Sequence, residues 1–398
     1  MSVADPAEVR AEAGAWLRAH WDRARSVRAW WALVADAGWQ FPSWPVGLGG
    51  RGLDAASERA VWEEMAAQGV LGPPFNLGTM TGAPTIVAFG TTGQATRLLP
   101  PLALGEEAWC QLFSEPDAGS DLAAVRTRAE RDGEGWRVTG QKIWSSGAAE
   151  ADRGMLVART DEHAAKHRGL SFMVLPLRQA GVDIRSLRQM NGVSGHFNEV
   201  FLDGPVVPAG DLITEPGGGW QVALNVLALE RFALQARVPG LVYGSPGRGW
   251  GQLDRSCGDV VAEGTQASDY VANRAWVDSG RLIALARQQG RAGDPIVRQQ
   301  LAAFIALEKV IDLTVQRPGV PGGPNLTKLA KTTVSRMAAR LGMELLGAGG
   351  LLSGVDAPAD GGPLHLALTS PSFSIAGGTD EIQHNVLGER VLGLPREP

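Results

Sequence analysis

The chain has 398 residues and a formal net charge of −5. Because acidic side chains outnumber basic ones, it lacks the basic surface that nucleic-acid binding requires, and we expect no nucleic-acid partner. Two cysteines are too few for a disulfide framework. Charged residues interrupt the N-terminal apolar runs, and no apolar run approaches the ~18 residues of a membrane span. These features predict a soluble cytoplasmic protein with no signal peptide and no membrane partner.

The first part of the chain, residues 1–107, is predicted to be a helical domain. Apolar residues recur three and four positions apart in Val27–Ala37, Ala55–Gln68 and Pro84–Gly90. The intervening stretch Gly38–Gly52 is rich in glycine and proline, so it predicts a loop.

The middle of the chain, residues 108–212, has the pattern of a β-domain. Short alternating runs are separated by Gly, Asp and Pro, which is typical of strands joined by turns. Strands are predicted at Thr127–Arg131, Trp136–Thr139, Met155–Arg159, Leu170–Pro176 and Glu199–Leu202.

The remainder, residues 213–398, returns to a helical period. Helices are predicted at Trp220–Ala236, Leu282–Gln289, Arg298–Val315 and Leu326–Leu346. Helices, then a sheet, then helices again predict an α+β multidomain chain, and the length favours two or three domains.

Two pairs of segments point beyond the fold. The first pair is Gln-Leu-Phe-Ser-Glu-Pro-Asp-Ala-Gly-Ser-Asp at 111–121 and Thr-Gly-Gln-Lys-Ile-Trp-Ser-Ser-Gly at 139–147. The second is Ile-Ala-Gly-Gly-Thr-Asp-Glu-Ile-Gln-His-Asn at 375–385, running on into Gly-Glu-Arg-Val-Leu-Gly-Leu-Pro at 388–395. Together they closely resemble the FAD-dependent acyl-CoA dehydrogenase family, particularly its actinobacterial branch. The resemblance covers nearly the whole chain.

This resemblance implies a fold and a reaction. The fold has an N-terminal all-α domain, a middle antiparallel β-barrel-like domain and a C-terminal four-helix bundle. The reaction converts an acyl-CoA to its trans-2-enoyl-CoA, with a proton leaving Cα and a hydride passing from Cβ to flavin N5. It needs a base, donors for the thioester oxygen and a bound FAD. An electron-transferring flavoprotein or a similar acceptor would reoxidise the flavin, and family members form homo- or heterotetramers.

The resemblance also implies residues that contact the flavin ring. Phe113 and Ser114 would place backbone and hydroxyl groups near its pyrimidine edge. Trp144 would cover one face of the ring, and the Ser146 hydroxyl would reach N5. All four residues lie in the first pair of segments.

Other contacts follow from the same resemblance. Gly119 and Ser120 resemble a turn whose small residues allow close approach to phosphate and to the CoA chain. Thr379 and Glu381 match positions that contact FAD. Arg231 would orient the pantetheine or the flavin, and a structural salt bridge is the alternative role for it.

The catalytic base is the least direct assignment. Many family members have a glutamate where this chain has Gly377, so that base is absent. A second group uses a glutamate just before an arginine, which corresponds to Glu230 here. Glu230 follows the apolar stretch Val222–Leu229, where burial would raise its pKa towards that of a general base. The alternative is a structural carboxylate paired with the neighbouring charge or with Arg237, and the Gly377 amide would still donate to the thioester carbonyl.

Three departures from the family leave questions open. The arginine motif that clamps the FAD diphosphate is missing, and Arg287, Arg291 or Arg298 are the substitutes to consider. Glu344 stands where a glutamine usually meets the cofactor. The stretch 248–276 looks longer than its counterpart, which would reshape the substrate entrance or an interface, or be a surface insertion.

Two other functions remain as alternatives. One is a flavin oxidase or monooxygenase on the same fold, which would use dioxygen. The other is a flavin-poor partner subunit of a heterotetrameric acyl-CoA dehydrogenase. Histidines such as His163 and His196 lack metal-ligand spacing, so no metal site is predicted. The acyl chain is not fixed by the motifs, although the branch includes enzymes of fatty acid and steroid side-chain metabolism.

Overall fold

The computed structural model describes residues 5–233, 241–243, 247–263, 274–317, 319–354 and 356–396. The chain divides into two compact units. The first contains residues 1–188 and 194–266, and the second contains residues 189–193 and 267–398. Among the described residues, the first unit has two hydrophobic cores and the second has one.

The first unit begins with a group of helices. A side-chain cap starts most of them, because Asp5, Ser26, Asp54 and Thr91 each accept a hydrogen bond from a first-turn amide. The helices pack around a core that contains fully buried tryptophans. They are α1 (Pro6–His20), α2 (Val27–Asp36), α3 (Ala55–Ala67), α4 (Ala83–Phe89) and α5 (Thr92–Ala103).

Ten strands lie in the described residues of this unit. They are β1 (Pro74–Phe75), β2 (Trp109–Leu112), β3 (Arg128–Asp132), β4 (Gly135–Ser146), β5 (Arg153–Arg159), β6 (Leu170–Pro176), β7 (Val182–Arg188), β8 (Ser194–Pro208), β9 (Leu212–Ile213) and β10 (Val242–Tyr243). The main sheet has the order β7-β8-β4-β3-β5-β6-β9, and β2 pairs with β5. Most pairs are antiparallel, but β2 and β3 each run parallel to β5. β1 and β10 form a separate parallel pair.

Helix α6 (Gly219–Ala233) follows the sheet and packs on β6. Its buried face contains Val222, Ala223 and Val226. Asn225 on the same helix donates to the Thr85 hydroxyl over 3.0 Å, so α6 is also tied to α4.

Residues 247–263, which lie largely in the segment that looked like an insertion, belong to the N-terminal core. The Val27 amide donates to the Arg255 carbonyl (3.0 Å), and the Arg28 amide donates to the Leu253 carbonyl (2.8 Å). Trp250 stacks on Trp31 with ring centroids 5.5 Å apart. The described part of the segment, including α7 (Cys257–Glu263), is therefore not a surface insertion.

The second unit is helical. Helix α10 packs against α8, α9 and α11 around buried apolar side chains such as Phe304, Leu341 and Leu366. Its helices are α8 (Ser279–Gln288), α9 (Pro295–Val315), α10 (Gly323–Leu346), α11 (Gly362–Phe373) and α12 (Asp380–Asn385). The predicted fold class, helical ends around a mostly antiparallel sheet, is confirmed.

Among the described residues, no helix combines the length and the apolar character that crossing a membrane requires.

Candidate active site

Trp144, in the β-domain, combines an unusual backbone conformation with an exposed aromatic side chain. It lies where the pairing of β4 with β8 shifts register between Lys142 and Ser145. Its φ angle is +61°, a left-handed conformation that a residue with a Cβ adopts at a cost of about 1 kcal/mol or more. Its side chain is 58% exposed, and its indole meets Phe197 edge-on at 5.8 Å. The strained backbone therefore directs a large aromatic ring outwards, where a flat ligand can stack on it.

The segment 113–115 lies against β4 through a buried lysine. The Lys142 Nζ donates to the Phe113 carbonyl (2.9 Å) and to the Glu115 carboxylate (2.8 Å). Between them, the Ser114 carbonyl accepts from the Ile143 amide over 3.0 Å. Three consecutive residues are thus held by two consecutive residues of β4.

Both members of this ion pair are charged at neutral pH. Burial lowers the pKa of the Lys142 ammonium to about 8, against the opposing effect of Glu115. Burial raises the pKa of Glu115, but Lys142 and the hydrogen bonds from residues 126–127 more than offset this. The pKa of Glu115 therefore lies below its ordinary value.

The hydroxyl groups expected near the flavin are available. Ser114 and Ser146 are both half-buried, and neither hydroxyl has a hydrogen-bond partner in the part of the chain that the structure describes. Gly119 and Ser120 are exposed, and a Cβ at Gly119 would meet no atom within 4 Å. The turn at Gly119 is therefore open to a ligand. The Phe113 ring is instead a core residue, edge-on to Phe172 at 6.2 Å.

Glu230 lies in the last turns of α6 and is half-buried. The helix brings it to the end of a face on which Val222 and Val226 are buried. The Arg231 side chain and the whole of Arg237 lie outside the described residues. Their proposed contacts are therefore left as predictions.

In the second unit, Gly377 and Gly378 form a left-handed turn with φ angles of +69° and +89°. Gln383 donates from Nε2 to the carbonyls of both glycines, at 3.0 and 3.1 Å. Its Oε1 accepts from the side-chain Nδ2 of Asn325 over 2.6 Å. The Gly377 amide has no acceptor among the described residues, so the turn presents a free backbone donor.

The residues after this turn start helix α12. The Thr379 side chain caps it by accepting from the Ile382 amide. Lys328 donates to Asp380 (2.5 Å) and to the Ser374 carbonyl (3.3 Å), which closes the other side of the turn. Glu381 is exposed in the first turn of α12, and backbone and Thr379 hydrogen bonds hold its pKa below the ordinary value.

Of the three arginines considered for the diphosphate, one is already engaged. Arg291 pairs with Asp294 at 2.8 Å and also donates to the Glu344 carbonyl at 3.0 Å. Arg287 and Arg298 are exposed, and their guanidinium groups have no ion pair within the described ranges. These two remain free to bind an anion.

Glu344 is not an isolated acid. Its carboxylate accepts from Arg340 (2.6 Å) and from Gln300 (2.7 Å). The Arg340 hydrogen bond, followed by that from Gln300, lowers the pKa of Glu344. A neighbouring cation thus offsets the negative charge.

In the described residues, no group of three His, Cys, Asp or Glu side chains is arranged to hold a metal ion.

Similarity to known proteins identifies the family of this chain. The family model "Acyl-CoA dehydrogenase, N-terminal domain" matches residues 7–106, the middle-domain model matches 110–204 and the C-terminal-domain model matches 270–392. Acyl-CoA dehydrogenase IpdE1 of Mycobacterium tuberculosis is 35% identical over 376 residues, which cover 93% of this chain and 88% of that protein. The chain belongs to the acyl-CoA dehydrogenase family.

Other relatives agree with this assignment. Acyl-CoA dehydrogenase FadE34 of Mycobacterium tuberculosis is 36% identical over 91% of this chain and 46% of its own length. Among solved structures, the "Tcur3481-Tcur3483 steroid ACAD" superposes with a TM-score of 0.71 at 26% identity, over 100% of both chains. The ChsE4-ChsE5 complex from Mycobacterium tuberculosis gives a TM-score of 0.65 at 26% identity, also over 100% of both chains.

The predicted family and cofactor are confirmed. Acyl-CoA dehydrogenases are FAD-dependent oxidoreductases of acyl-CoA thioesters, so this chain is an enzyme of that class and FAD is its cofactor. Its residues fit FAD, because an exposed, strained Trp144 lies in the same strand as Ser146, whose hydroxyl has no hydrogen-bond partner among the described residues. The sequence motifs contained Lys142, Glu115 and Gln383 but gave them no role. Only their long-range hydrogen bonds reveal them.

Proposed function

We propose that this acyl-CoA dehydrogenase oxidises the Cα–Cβ bond of an acyl-CoA thioester to the trans-2-enoyl-CoA, with Glu230 as the base. FAD, when bound, supplies the acceptor for the hydride that leaves Cβ. Glu230 receives the proton from Cα, and the electron pair of that C–H bond forms the new double bond. One proton and one hydride leave together, so the substrate loses two electrons.

The observation that carries this proposal is the Gly377–Gly378 turn. Position 377 has no side chain to act as a base, yet its amide is free and its carbonyl is held by Gln383 at 3.0 Å. A backbone N–H in a turn that is restrained by Gln383 suits an oxyanion donor, because it needs little reorganisation as charge develops on the thioester oxygen. The base must then come from another element, and Glu230 is the carboxylate that the family resemblance offers.

The position of Glu230 supports its role. It is half-buried, and it lies one turn beyond Val226 and two turns beyond Val222 on the buried face of α6. In unit one, Trp144 would stack on the flavin ring while the Ser114 and Ser146 hydroxyls donate to its edge. In unit two, Thr379 and Glu381 would meet FAD near the start of α12, and Arg231 and Ser120 would contact the CoA chain.

The test is Glu230→Gln, which removes the base but keeps the shape of the side chain. Turnover of a CoA thioester with an artificial electron acceptor should fall by roughly a thousandfold or more, whereas the bound FAD should be retained. Glu215→Gln is a matched control, because Glu215 lies in the bend before α6 and outside the proposed site. Unchanged turnover in Glu230→Gln would reject the base.

The assembly is part of the same proposal. Helix α9 exposes several apolar side chains, which are costly to leave in water and favour a subunit interface. They are Ile296, Ile305, Val310, Leu313 and Val315. Two similar solved structures are named for pairs of different chains, so a homo- or heterotetramer is expected. Light scattering of the purified chain, alone and with a candidate partner subunit, distinguishes the two.

The names of similar proteins suggest first candidates for the acyl group. One solved structure of the same fold is named a "steroid ACAD", so we propose steroid-derived CoA thioesters as first candidates, with straight-chain thioesters as the comparison. An electron-transferring flavoprotein is the proposed acceptor. Rapid reoxidation of the substrate-reduced flavin by air would instead favour an oxidase.

A further inference from the structure

The two segments proposed to face the flavin do not pair as strands. Strand β2 pairs with β5, while β4 pairs with β3 and β8. The segment 113–115 extends beyond β2 and reaches β4 through one backbone hydrogen bond, from Ile143 to Ser114. The remaining polar contacts between them are made by the Lys142 side chain. The Lys142 side chain and one backbone hydrogen bond are therefore the polar contacts that set the relative position of these segments.

Glu115 extends the connection to a third segment. Its Oε1 accepts from the Thr127 amide (2.9 Å) and its Oε2 from the Arg126 amide (2.6 Å). Its own backbone closes a turn with Ala118 through two hydrogen bonds of 3.0 and 3.1 Å. With Lys142, the Glu115 carboxylate thus has three donors, and it fixes both ends of the loop that contains Gly119.

Stability alone is a weak reason for such a pair. Lys142 is 0% exposed and Glu115 is 8% exposed, and removing two charges from water costs several kcal/mol for each ion. Apolar residues of similar volume often give equal or greater stability at such positions. The ion pair makes hydrogen bonds of fixed direction, which apolar residues cannot make.

We propose that Lys142 and Glu115 are positioning residues of the flavin site, which hold Ser114 and Trp144 in the arrangement that binds the isoalloxazine ring. This rests on the proposed placement of FAD at these segments. Lys142 is two residues from the strained Trp144, and it donates to the carbonyl that precedes Ser114. Neither Lys142 nor Glu115 need touch the flavin, because each acts through the backbone of its neighbours.

The test separates positioning from stability by measuring both in the same variants. Lys142→Met leaves a buried carboxylate without its cation, so it should destabilise the protein and weaken FAD binding. The double variant Lys142→Met with Glu115→Gln removes both charges. It should recover thermal stability relative to Lys142→Met, whereas its FAD dissociation constant should remain at least about tenfold above that of the unmodified chain. Its flavin absorption band should also shift.

Arg153→Met is the matched control. It breaks ion pairs with Glu107 (2.8 Å) and Asp211 (3.3 Å) in the same unit, but it leaves segment 113–115 and β4 intact. It should lower stability and keep the FAD affinity and the flavin spectrum.

Three outcomes would overturn the proposal. FAD affinity and spectrum of the double variant equal to those of the unmodified chain would show that the pair does not position the site. Equal weakening of FAD binding in Arg153→Met would show that lost stability is the cause. If Lys142→Met does not fold, the isosteric Glu115→Gln decides, and unchanged FAD affinity there would contradict the proposal. An unmodified chain that binds no FAD would instead reject the proposed flavin site.

Discussion

The side chain of Gln383 donates to the carbonyl of Gly377 over 3.0 Å while it is fully buried. The amide of Gly377 has no acceptor among the described residues. Because a buried side chain holds the carbonyls of both Gly377 and Gly378, it restrains the turn that presents this amide before substrate binds. Preorganised donors of this kind stabilise the charge that develops on a thioester oxygen.

Removing this contact should reduce catalysis more than binding. In Gln383→Ala the carbonyls of Gly377 and Gly378 lose their donor and Asn325 loses its acceptor. We expect kcat to fall roughly tenfold or more with a smaller change in KM, measured by steady-state kinetics. Ser335→Ala, another buried polar truncation in this unit, should leave kcat unchanged. Equal kcat values for Gln383→Ala and Ser335→Ala would contradict the role of Gln383.

We expect Trp144 to lower the stability of the FAD-free protein and to increase its affinity for FAD. Glycine adopts a φ angle of +61° without strain, and the exposed indole contributes little packing. Trp144→Gly should therefore leave the free energy of unfolding of the FAD-free protein equal or higher by up to about 1 kcal/mol. Its FAD affinity should fall. Trp144→Phe keeps a ring and should retain more of the affinity, and equal FAD binding in all three proteins would contradict the stacking role.

The buried Lys142 predicts an unusual pH dependence. Its pKa is about 8 in the folded chain and 10.5 ordinarily. Between these values the unfolded chain holds a proton that the folded chain has lost, so the contribution of Lys142 to stability rises with pH across this window and is constant below it. Urea unfolding of the FAD-free protein measures this, with Lys142→Met as the reference. The stability difference between the two proteins should grow as pH rises from 8 towards 10.5, and a difference that shrinks would contradict the burial of this charge.

The exposed arginines of the second unit give a further prediction. Arg287 and Arg298 have no ion pair within the described residues, whereas Arg291 is bound to Asp294 and to the Glu344 carbonyl. Arg287→Gln or Arg298→Gln should weaken FAD binding about tenfold without lowering the melting temperature. Arg291→Gln should lower the melting temperature without weakening FAD binding. Calorimetric melting and an FAD titration of each variant measure the two effects. Weaker FAD binding in Arg291→Gln alone would assign the diphosphate to that residue.

Local patterns predicted the long elements of the fold but not all of its helices. Helix α5 is not among the predicted helices, and it contains Pro100 and Pro101, which are unfavourable in a helix interior but lie in its last turn. The capping box of Thr91 and Gln94 was the signal that could have identified it. Helix α11 has no continuous apolar stripe and contains Pro371, so its periodicity is weak.

The candidate site was accessible to sequence reasoning only in part, for a related reason. Trp144 and Gly377 lie in motifs, so the resemblance could propose them. A lysine in a strand is usually exposed, and the partner that allows Lys142 to be buried, Glu115, is 27 positions away. Likewise, the packing of Trp250 on Trp31 depends on tertiary contacts that sequence patterns do not contain.

The central claim is that this chain takes a proton and a hydride from an acyl-CoA through Glu230 and FAD. The most direct test is anaerobic mixing of the FAD-loaded chain with CoA thioesters, while the flavin absorption band is followed and the product is analysed by mass. The account predicts bleaching of the flavin in step with enoyl-CoA formation for at least one thioester, and neither event in Glu230→Gln with FAD still bound. Bleaching at an unchanged rate in Glu230→Gln would contradict the account, as would an unmodified, FAD-loaded chain that no acyl-CoA reduces.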